Sequence, residues 1–353
     1  MVTATRSVRR LGGDRPPGLG RGPPGNPGPV TTRIGLVGAG FIGGRHLDSL
    51  STLDDVRVVG VADPQVERAE QLAARAGARA HPGWEQLLDA EELDALYVCV
   101  PPHGHGAVEE AAVDRGLPLF VEKPLATDLA TAERLAARIA AAGLLTAVGY
   151  HWRYLDTLEH ARELLAGSPA RMVLAAWLDK APRVPWWSHQ DQSGGQTVEQ
   201  ATHLFDVARV LVGEVVGGAA VGSRSGSAPG DILDVTTAAL TFDTGAVGSF
   251  SNSCLLPRGQ RIGVELVAPG LGLWLTEHQL VVSDADGERT LDRQVDPIAA
   301  EDRAFVAAVR GEGDDVRAPY AEALRTHRLV SAVAAAAAGD GVVQLAAPAG
   351  VPA

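Results

Sequence analysis

The sequence predicts an α/β protein, with a doubly wound parallel sheet in the N-terminal part and, after it, an α+β domain whose sheet is open-faced and mainly antiparallel. Three observations predict it. Residues 33–63 read as strand, glycine-rich turn, helix and strand; short apolar runs then alternate with helical patterns as far as Tyr150; beyond that point, strands of alternating polarity are joined by hairpin turns. The divisions expected are a tail at 1–32, a first domain at 33–150, a second at 151–340 and a C-terminal tail at 341–353.

Leu11 to Val30 holds seven Gly and six Pro, with Arg6, Arg9, Arg10, Arg15 and Arg21 nearby, and has almost no apolar content with which to fold. It reads as disordered. Arg9-Arg10 has the look of a twin-arginine export signal, but Gly and Pro stand where an apolar stretch should follow, which argues against export. A functional tail and a start codon set too far upstream fit the segment equally.

Arg33-Ile34-Gly35-Leu36-Val37 is a short apolar run, followed by Gly38-Ala39-Gly40-Phe41-Ile42-Gly43 and then by His46 to Leu50 at helical spacing. Gly38 permits a tight turn, Gly40 lets the backbone approach a pyrophosphate, and Gly43 lets helix and strand pack closely. Phe41 and Ile42 open the helix, whose free N–H groups would face the phosphates. Val56 to Ala62 is the next strand, and Asp63 ends it twenty residues after Gly43. A carboxylate there accepts from both adenosine ribose hydroxyls and repels a 2′-phosphate. The unit reads as a Rossmann dinucleotide-binding start, with NAD favoured and NADP the second choice.

Val66, Ala69, Leu72, Ala73 and Ala76 mark a helix stopped by Gly77, and Trp84, Leu87 and Leu88 mark a shorter one. Ala95 to Val100 is apolar throughout, as a strand buried on both faces would be. Pro101-Pro102 ends it, and a helix around Ala107 to Arg115 follows. Ligands of open α/β sheets sit beyond the carboxyl ends of the strands, which puts Pro101, Pro102 and His105 beside the cofactor. Leu119-Phe120-Val121 runs directly into Glu122-Lys123-Pro124. A charged pair at the end of a buried strand is costly unless something uses it, so Lys123 is a functional candidate, with Glu122 beside it on the cofactor side. A helix from Leu129 to Ala142 and a strand from Thr146 to Tyr150 complete the unit.

After Tyr150 the pattern changes. A helix at Leu158 to Leu165 precedes strands at Arg171 to Leu178, Leu233 to Phe242, Ala246 to Cys254, Ile262 to Ala268, Leu273 to Thr276 and Leu280 to Ser283. Asp243-Thr244-Gly245 and Asp284-Ala285-Asp286-Gly287 read as hairpin turns, so this sheet is expected to be antiparallel with one covered face. Helices at Ile298 to Arg310 and Ala321 to Ala338 follow.

Composition narrows the classes further. With 353 residues, 46% hydrophobic and 21% charged, the chain has ample core for about two domains. A net charge of −12 argues against a nucleic-acid or anionic-membrane surface. Cys99 and Cys254, the only cysteines, read as buried reduced thiols and indicate neither a disulfide framework nor a thiolate metal site. No stretch reaches the roughly 18 apolar residues of a membrane helix. A cytoplasmic protein is expected.

The densest chemistry outside the first domain follows Ser193-Gly194-Gly195. Gln196, Glu199, His203 and Asp206 are spaced three, four and three apart, one face of a helix whose other face carries Val198, Ala201, Leu204, Phe205, Ala208 and Leu211. A solvated polar face fits that spacing about as well as a site does. Oxidation of an alcohol carbon needs a base for the hydroxyl proton while a nicotinamide takes the hydride, and a histidine with a pKa near about 6.5 suits that task. His203 is then the base, Glu199 one turn earlier orients or polarises it, and Lys123 holds the reacting oxygen or relays its proton. Metal ligation is not indicated, since Glu199 and His203 lack a third ligand.

Four stretches together resemble one family, that of glucose-fructose oxidoreductase, inositol dehydrogenase and the rhizopine-catabolism proteins (Gfo/Idh/MocA). They are Gly38 to His46, Pro101 with His105, Glu122-Lys123-Pro124, and Gly194-Gly195 before the His203 segment. The likeness extends in layout from about Ile34 to Ala338. It implies a nicotinamide-dependent oxidoreductase acting on a polyol, sugar or related hydroxy compound, with Lys123 and His203 in the catalytic positions and a cis bond before Pro124. It also implies a homodimer or homotetramer built through the C-terminal sheet. One departure stands out: the family pattern has Asp four residues before the histidine, and this chain has Glu199.

The substrate is less legible. Trp186, Trp187, His189 and Asp191 form an aromatic and polar loop before the His203 segment, and Tyr150, His151 and Arg153 follow the last strand of the first domain. With Gln196 they would suit a sugar or cyclitol ring, although tryptophans at a subunit contact fit as well. Arg153 would welcome a carboxylate or phosphate, or serve in an ion pair. A glycosidase using transient NAD oxidation and a non-catalytic NAD-binding sensor are the alternatives to a dehydrogenase.

Overall fold

The computed structural model describes residues 31–228 and 230–345, so the expected N-terminal tail, up to Val30, lies outside the described residues. Strands β1 (Thr32–Val37), β2 (Val56–Ala62), β3 (Arg79–His81), β4 (Ala95–Val98), β5 (Leu119–Val121) and β6 (Thr146–Val148) form a six-stranded sheet in the order β3-β2-β1-β4-β5-β6. All its pairings are parallel. The crossovers are α1 (Phe41–Leu50), α2 (Val66–Ala76), α3 (Trp84–Ala90), α4 (Ala107–Asp114) and α5 (Leu129–Ala142). Strands β4, β5 and β6 are buried at every position, as their apolar runs require between two helical layers. The winding reverses between β1 and β4, so the carboxyl ends of these two neighbours open the crevice in which such sheets take ligands. Strand β3 has no apolar signature; Arg79-Ala80-His81 is drawn into the sheet edge by pairing with Gly60, Val61 and Ala62. Gly77 and Gly143 end α2 and α5 in the left-handed conformation, at φ 63° and 60°.

The second sheet begins after α6 (Asp156–Gly167) with β7 (Met172–Leu178). Three short segments follow, α7 (Gln190–Ser193), α8 (Gln196–Glu199) and α9 (Thr202–Val212), and then β8 (Val215–Ser223), β9 (Val235–Phe242), β10 (Val247–Ser253), β11 (Arg261–Ala268), β12 (Leu271–Leu275), β13 (Gln279–Asp284) and β14 (Gly287–Asp292). Helices α10 (Pro297–Val309) and α11 (Tyr320–Ala338) precede the two-residue β15 (Val342–Val343). The order is β14-β13-β12-β11-β7-β10-β9-β8-β15. Where an antiparallel sheet is expected, one pair runs parallel: β7 lies between β10 and β11, which run in opposite directions, and so must be parallel to one of them. In β9 the alternation is strict, with Thr236, Ala238, Leu240 and Phe242 buried and the intervening residues exposed. The covered face packs on α6, α9 and α11; the open face exposes Met172, Leu174, Val247 and Val267.

The last two helices return to the first sheet. Phe305 and Val306 of α10 join the core beneath α1, while Ala318 and, from α11, Tyr320, Ala323 and Leu324 join the core beneath α4 and α5. Val148 N–H donates to the Ala318 carbonyl at 2.9 Å, which covers the edge strand β6. No helix among the described residues is long and apolar enough to cross a membrane.

Candidate active site

The glycine turn does what three glycines allow. Gly38 has φ +100°, and a Cβ there would lie 2.3 Å from the Cys99 carbonyl oxygen; at Gly43 it would lie 2.1 Å from the carbonyl of Gly38. Gly40 caps α1 with no side-chain hydrogen bond, and a Cβ built on it meets nothing within 4 Å, so the space in front of the helix N-terminus is open. The first turn carries no acid, which leaves its N–H dipoles free for an anion. Phe41 is exposed at this mouth, with Ile42 partly covered behind it. Asp63 stands at the carboxyl end of β2, where Oδ2 accepts from Ala39 N–H at 2.9 Å and Oδ1 from Gln65 N–H at 2.8 Å. These residues fit a bound dinucleotide.

Pro101 follows β4 on the carboxyl side of the sheet, and His105 stands just before α4. Its side chain is buried, with Nδ1 2.5 Å from Glu109 Oε1, while Glu109 Oε2 accepts from Gly106 N–H and caps α4. The Nε2 of His105 is buried without a hydrogen-bond partner among the described residues. Glu122 is buried as well. Its Oε1 meets His46 Nε2 at 3.0 Å, its Oε2 accepts from the Lys123 backbone N–H at 3.0 Å, and Asp302 Oδ1 holds His46 Nδ1 at 2.8 Å. Burial alone would deprotonate His46, but the Asp302 charge and the two carboxylate hydrogen bonds hold its pKa well above the usual value. An imidazolium thus ties α1 and α10 to the strand end that carries Lys123. The bond between Lys123 and Pro124 is cis.

Lys123 reaches across to the second sheet's helices. Nζ donates to the Glu199 backbone carbonyl at 2.8 Å and to Glu199 Oε1 at 3.1 Å. The carbonyl is available because the single helix expected from Gln196 is broken. The N–H groups of both Gln200 and Ala201 go to the Gln196 carbonyl, the helix restarts at Thr202, and no backbone amide among the described residues takes the Glu199 carbonyl. The break also corrects the expected stripe of Gln196, Glu199, His203 and Asp206. Gln196 is buried, donates to Gln200 Oε1 at 3.2 Å, and lines a cavity of about 370 Å³ with Thr127, Thr236 and Ser331, of which neither Lys123 nor His203 is a wall. Asp206 is buried on Arg153, Oδ2 to Nε and Oδ1 to Nη2 at 2.7 Å each.

Arg153 gives two more donors to the Arg317 carbonyl and Glu322, so four of its five N–H groups are held by the protein. Tyr150 is buried too, its hydroxyl 2.8 Å from Thr202 Oγ1, and it braces the start of α9. Trp187 is buried with Ile232 and Cys254, and its indole N–H donates to Glu199 Oε2 at 2.6 Å; Trp186 packs half-buried on the same cluster. Trp187 therefore presents no open ring face to a sugar, whereas Trp186 keeps part of its surface exposed.

His203 is 4% exposed, with Nδ1 buried and unpartnered. Tyr150 and His151 meet its ring edge-on at 5.9 and 4.8 Å between centroids, and Trp152 and Trp177 lie nearly parallel to it at 6.1 and 6.2 Å. Burial, with the neighbouring His151 and Lys123, pushes its pKa well below the usual value, so the ring is kept neutral. His151 Nε2 stands 3.6 Å from Glu277 Oε1 at the rim. Trp177 and Glu277 come from β7 and from just after β12, far in sequence from His203, and only pairing within the second sheet brings them near. One signal in the sequence was available for Lys123: it and Lys180 are the only lysines in the chain.

The profile described as an oxidoreductase family with an NAD-binding Rossmann fold matches residues 32–150, and that of the GFO/IDH/MocA C-terminal domain matches residues 167–268. The chain belongs to the Gfo/Idh/MocA oxidoreductases. Like other Gfo/Idh/MocA proteins it is an NAD-binding oxidoreductase. It is 25% identical over 296 residues to the myo-inositol 2-dehydrogenase of Thermotoga maritima, covering 79% of this chain and 88% of that one. It is 26% identical over 313 residues, 84% of this chain and 96% of the relative, to the 4-carboxy-2-hydroxymuconate-6-semialdehyde dehydrogenase of Sphingobium. Among solved structures, the WlbA dehydrogenase of Bordetella pertussis with NADH and UDP-GlcNAcA superposes with a TM-score of 0.78 at 21% identity, over 90% of this chain and all of that one, which shows the shared fold.

Proposed function

We propose that this Gfo/Idh/MocA protein is a dehydrogenase that oxidises a hydroxyl carbon of a polyol, sugar or cyclitol. The observation that carries the reading is the convergence of Lys123, from the cofactor crevice, with a neutral buried His203 from the second sheet's helices. The Gly38 to Gly43 turn, with Asp63 toward the ribose, would hold NAD, which would supply the hydride acceptor. Neutral His203 would take the hydroxyl proton as the carbon gives up its hydride, leaving the alcohol as a carbonyl. The Lys123 ammonium donates to the same oxygen and stabilises its developing negative charge. Near-complete burial of His203 excludes water from the base.

The named substrates of the relatives, an inositol and a muconate semialdehyde, share an oxidisable carbon bearing oxygen, and the polar rim of His151 and Glu277 favours the hydroxylated ring. The open sheet face, with Met172, Leu174, Val247 and Val267 exposed, is the surface through which a homodimer or homotetramer would form. The free buried thiols Cys99 and Cys254 suit a reducing, cytoplasmic setting. The test is NADH formation by the purified protein, with NAD and NADP in parallel, across inositols, aldoses, sugar acids and amino sugars. Turnover with one class supports the dehydrogenase. Silence across the panel with NAD bound counts against it, in favour of a redox glycosidase or a sensor.

A further inference from the structure

We infer that Trp187 is a positioning residue that acts through Glu199 to aim the Lys123 ammonium, so that Trp187, Glu199 and Lys123 work as one unit. The inference rests on the reading that Lys123 serves the reacting oxygen.

An ammonium has three N–H donors. Glu199 takes two of those of Lys123, one on its backbone carbonyl at 2.8 Å and one on Oε1 at 3.1 Å, which leaves a single donor for the crevice. A flexible four-carbon side chain thereby gains one direction. The arrangement depends on where the Glu199 carboxylate stands, and that is set from its other side. Trp187 Nε1 donates to Oε2 at 2.6 Å, within the short range of charge-assisted bonds.

Trp187 itself has little freedom. Pro185–Ser188 forms a single 3₁₀ turn, its indole is buried against Ile232 and Cys254, and the loop before β9 closes on the turn through Asp231 N–H to the Ser188 carbonyl at 3.0 Å. A Cβ on Gly230 would lie 1.9 Å from that same carbonyl oxygen, so the closure is tight. Glutamate rather than aspartate at position 199 then has a geometric use. One more methylene lets a single carboxylate span from the indole to the ammonium.

The test uses the rarity of lysine in the chain. Amine acylation by a small reagent, followed by mass spectrometry, reports Lys123 against Lys180, which is exposed and serves as internal reference. It requires no substrate, so it remains informative if the dehydrogenase reading fails. Trp187→Phe keeps a ring in the apolar cluster and removes the donor together with the pyrrole half of the indole; it should raise Lys123 labelling at least threefold relative to Lys180. With a turned-over substrate it should lower kcat about tenfold, leaving KM for NAD within twofold. Glu199→Asp, which keeps the charge and shortens the reach, should raise labelling likewise and provides the test if the tryptophan variant does not fold. Unchanged Lys123 labelling in a folded variant overturns the inference whatever happens to turnover. Increased labelling with unchanged kcat overturns it too, since the aim of the ammonium would not matter to the reaction.

Discussion

Arg153 and Asp206 form a buried bidentate ion pair, 2.7 Å on each arm, and Thr326 Oγ1 donates to the same carboxylate at 2.6 Å. Four of the five N–H groups of the arginine are held by the protein. Asp206→Ala or Arg153→Met should therefore destabilise the protein by about 3–5 kcal/mol, the usual cost of stranding one partner of a buried pair, as read by chemical denaturation. Substrate KM of the folded fraction should stay within twofold. A tenfold rise in KM with stability intact would return Arg153 to the substrate.

Lys123→Ala and His203→Ala should each lower turnover by at least about 100-fold, the low end of what a positioned acid or base contributes, while the dissociation constant for NAD stays within threefold. Equal loss of NAD binding would sink both roles. His203 must be neutral to accept a proton, and burial, with His151 and Lys123, pushes its pKa down. The acid limb of kcat/KM should accordingly lie below about pH 6.5, and His151→Phe should move it upward. A wild-type limb above that value would mean another base.

Asp63→Ala should weaken NAD about tenfold and relax the discrimination against NADP, measured as the ratio of the two kcat/KM values. Because Asp63 also accepts from Ala39 N–H in the glycine turn, some loss of affinity would follow from that contact alone. The ratio is the deciding quantity. If it does not move, the acid is not on the ribose.

His327 is buried with both ring nitrogens unpartnered, and burial first, then His105, pushes its pKa down to about 4. Between about pH 6.5, where an unfolded histidine titrates, and about pH 4, the unfolded chain binds the extra proton, so stability falls as the pH is lowered through that window. The contribution approaches about 3 kcal/mol at its acid end. His327→Gln should flatten that part of the stability–pH curve, as followed by urea midpoints. An unchanged curve would show that the ring is not held neutral.

Much of the first sheet was legible because its signals are local. Leu119 to Val121 and Val56 to Ala62 are read to the residue from their apolar runs, and Gly77 and Gly143 mark helix ends because only glycine adopts φ near +60° without cost. Strands β3 and β8 escaped. Arg79-Ala80-His81 and the glycine-rich Val215 to Ser223 have no apolar pattern of their own, and they are strands only because a neighbour offers hydrogen bonds. The helix through Gln196 to Val212 reads as continuous because spacing of three and four carries no trace of the break at Gln200.

What the sequence by itself determined is the cofactor half and the identity of the polar residues: a glycine turn, an acid twenty residues on, a lysine after a buried strand and a histidine after Gly-Gly. Those depend on backbone conformation and on the cost of placing charge at a strand end, both set by a few adjacent residues. The tertiary structure alone decided how the polar residues divide. Arg153, Asp206, His105 and Glu122 find buried partners tens to hundreds of residues away or across a helix turn, while Lys123, Glu199 and Trp187 are joined by hydrogen bonds and His203 is buried with Nδ1 unpartnered. Which partner a charge meets inside a protein depends on long-range packing, and desolvation makes that choice all-or-none.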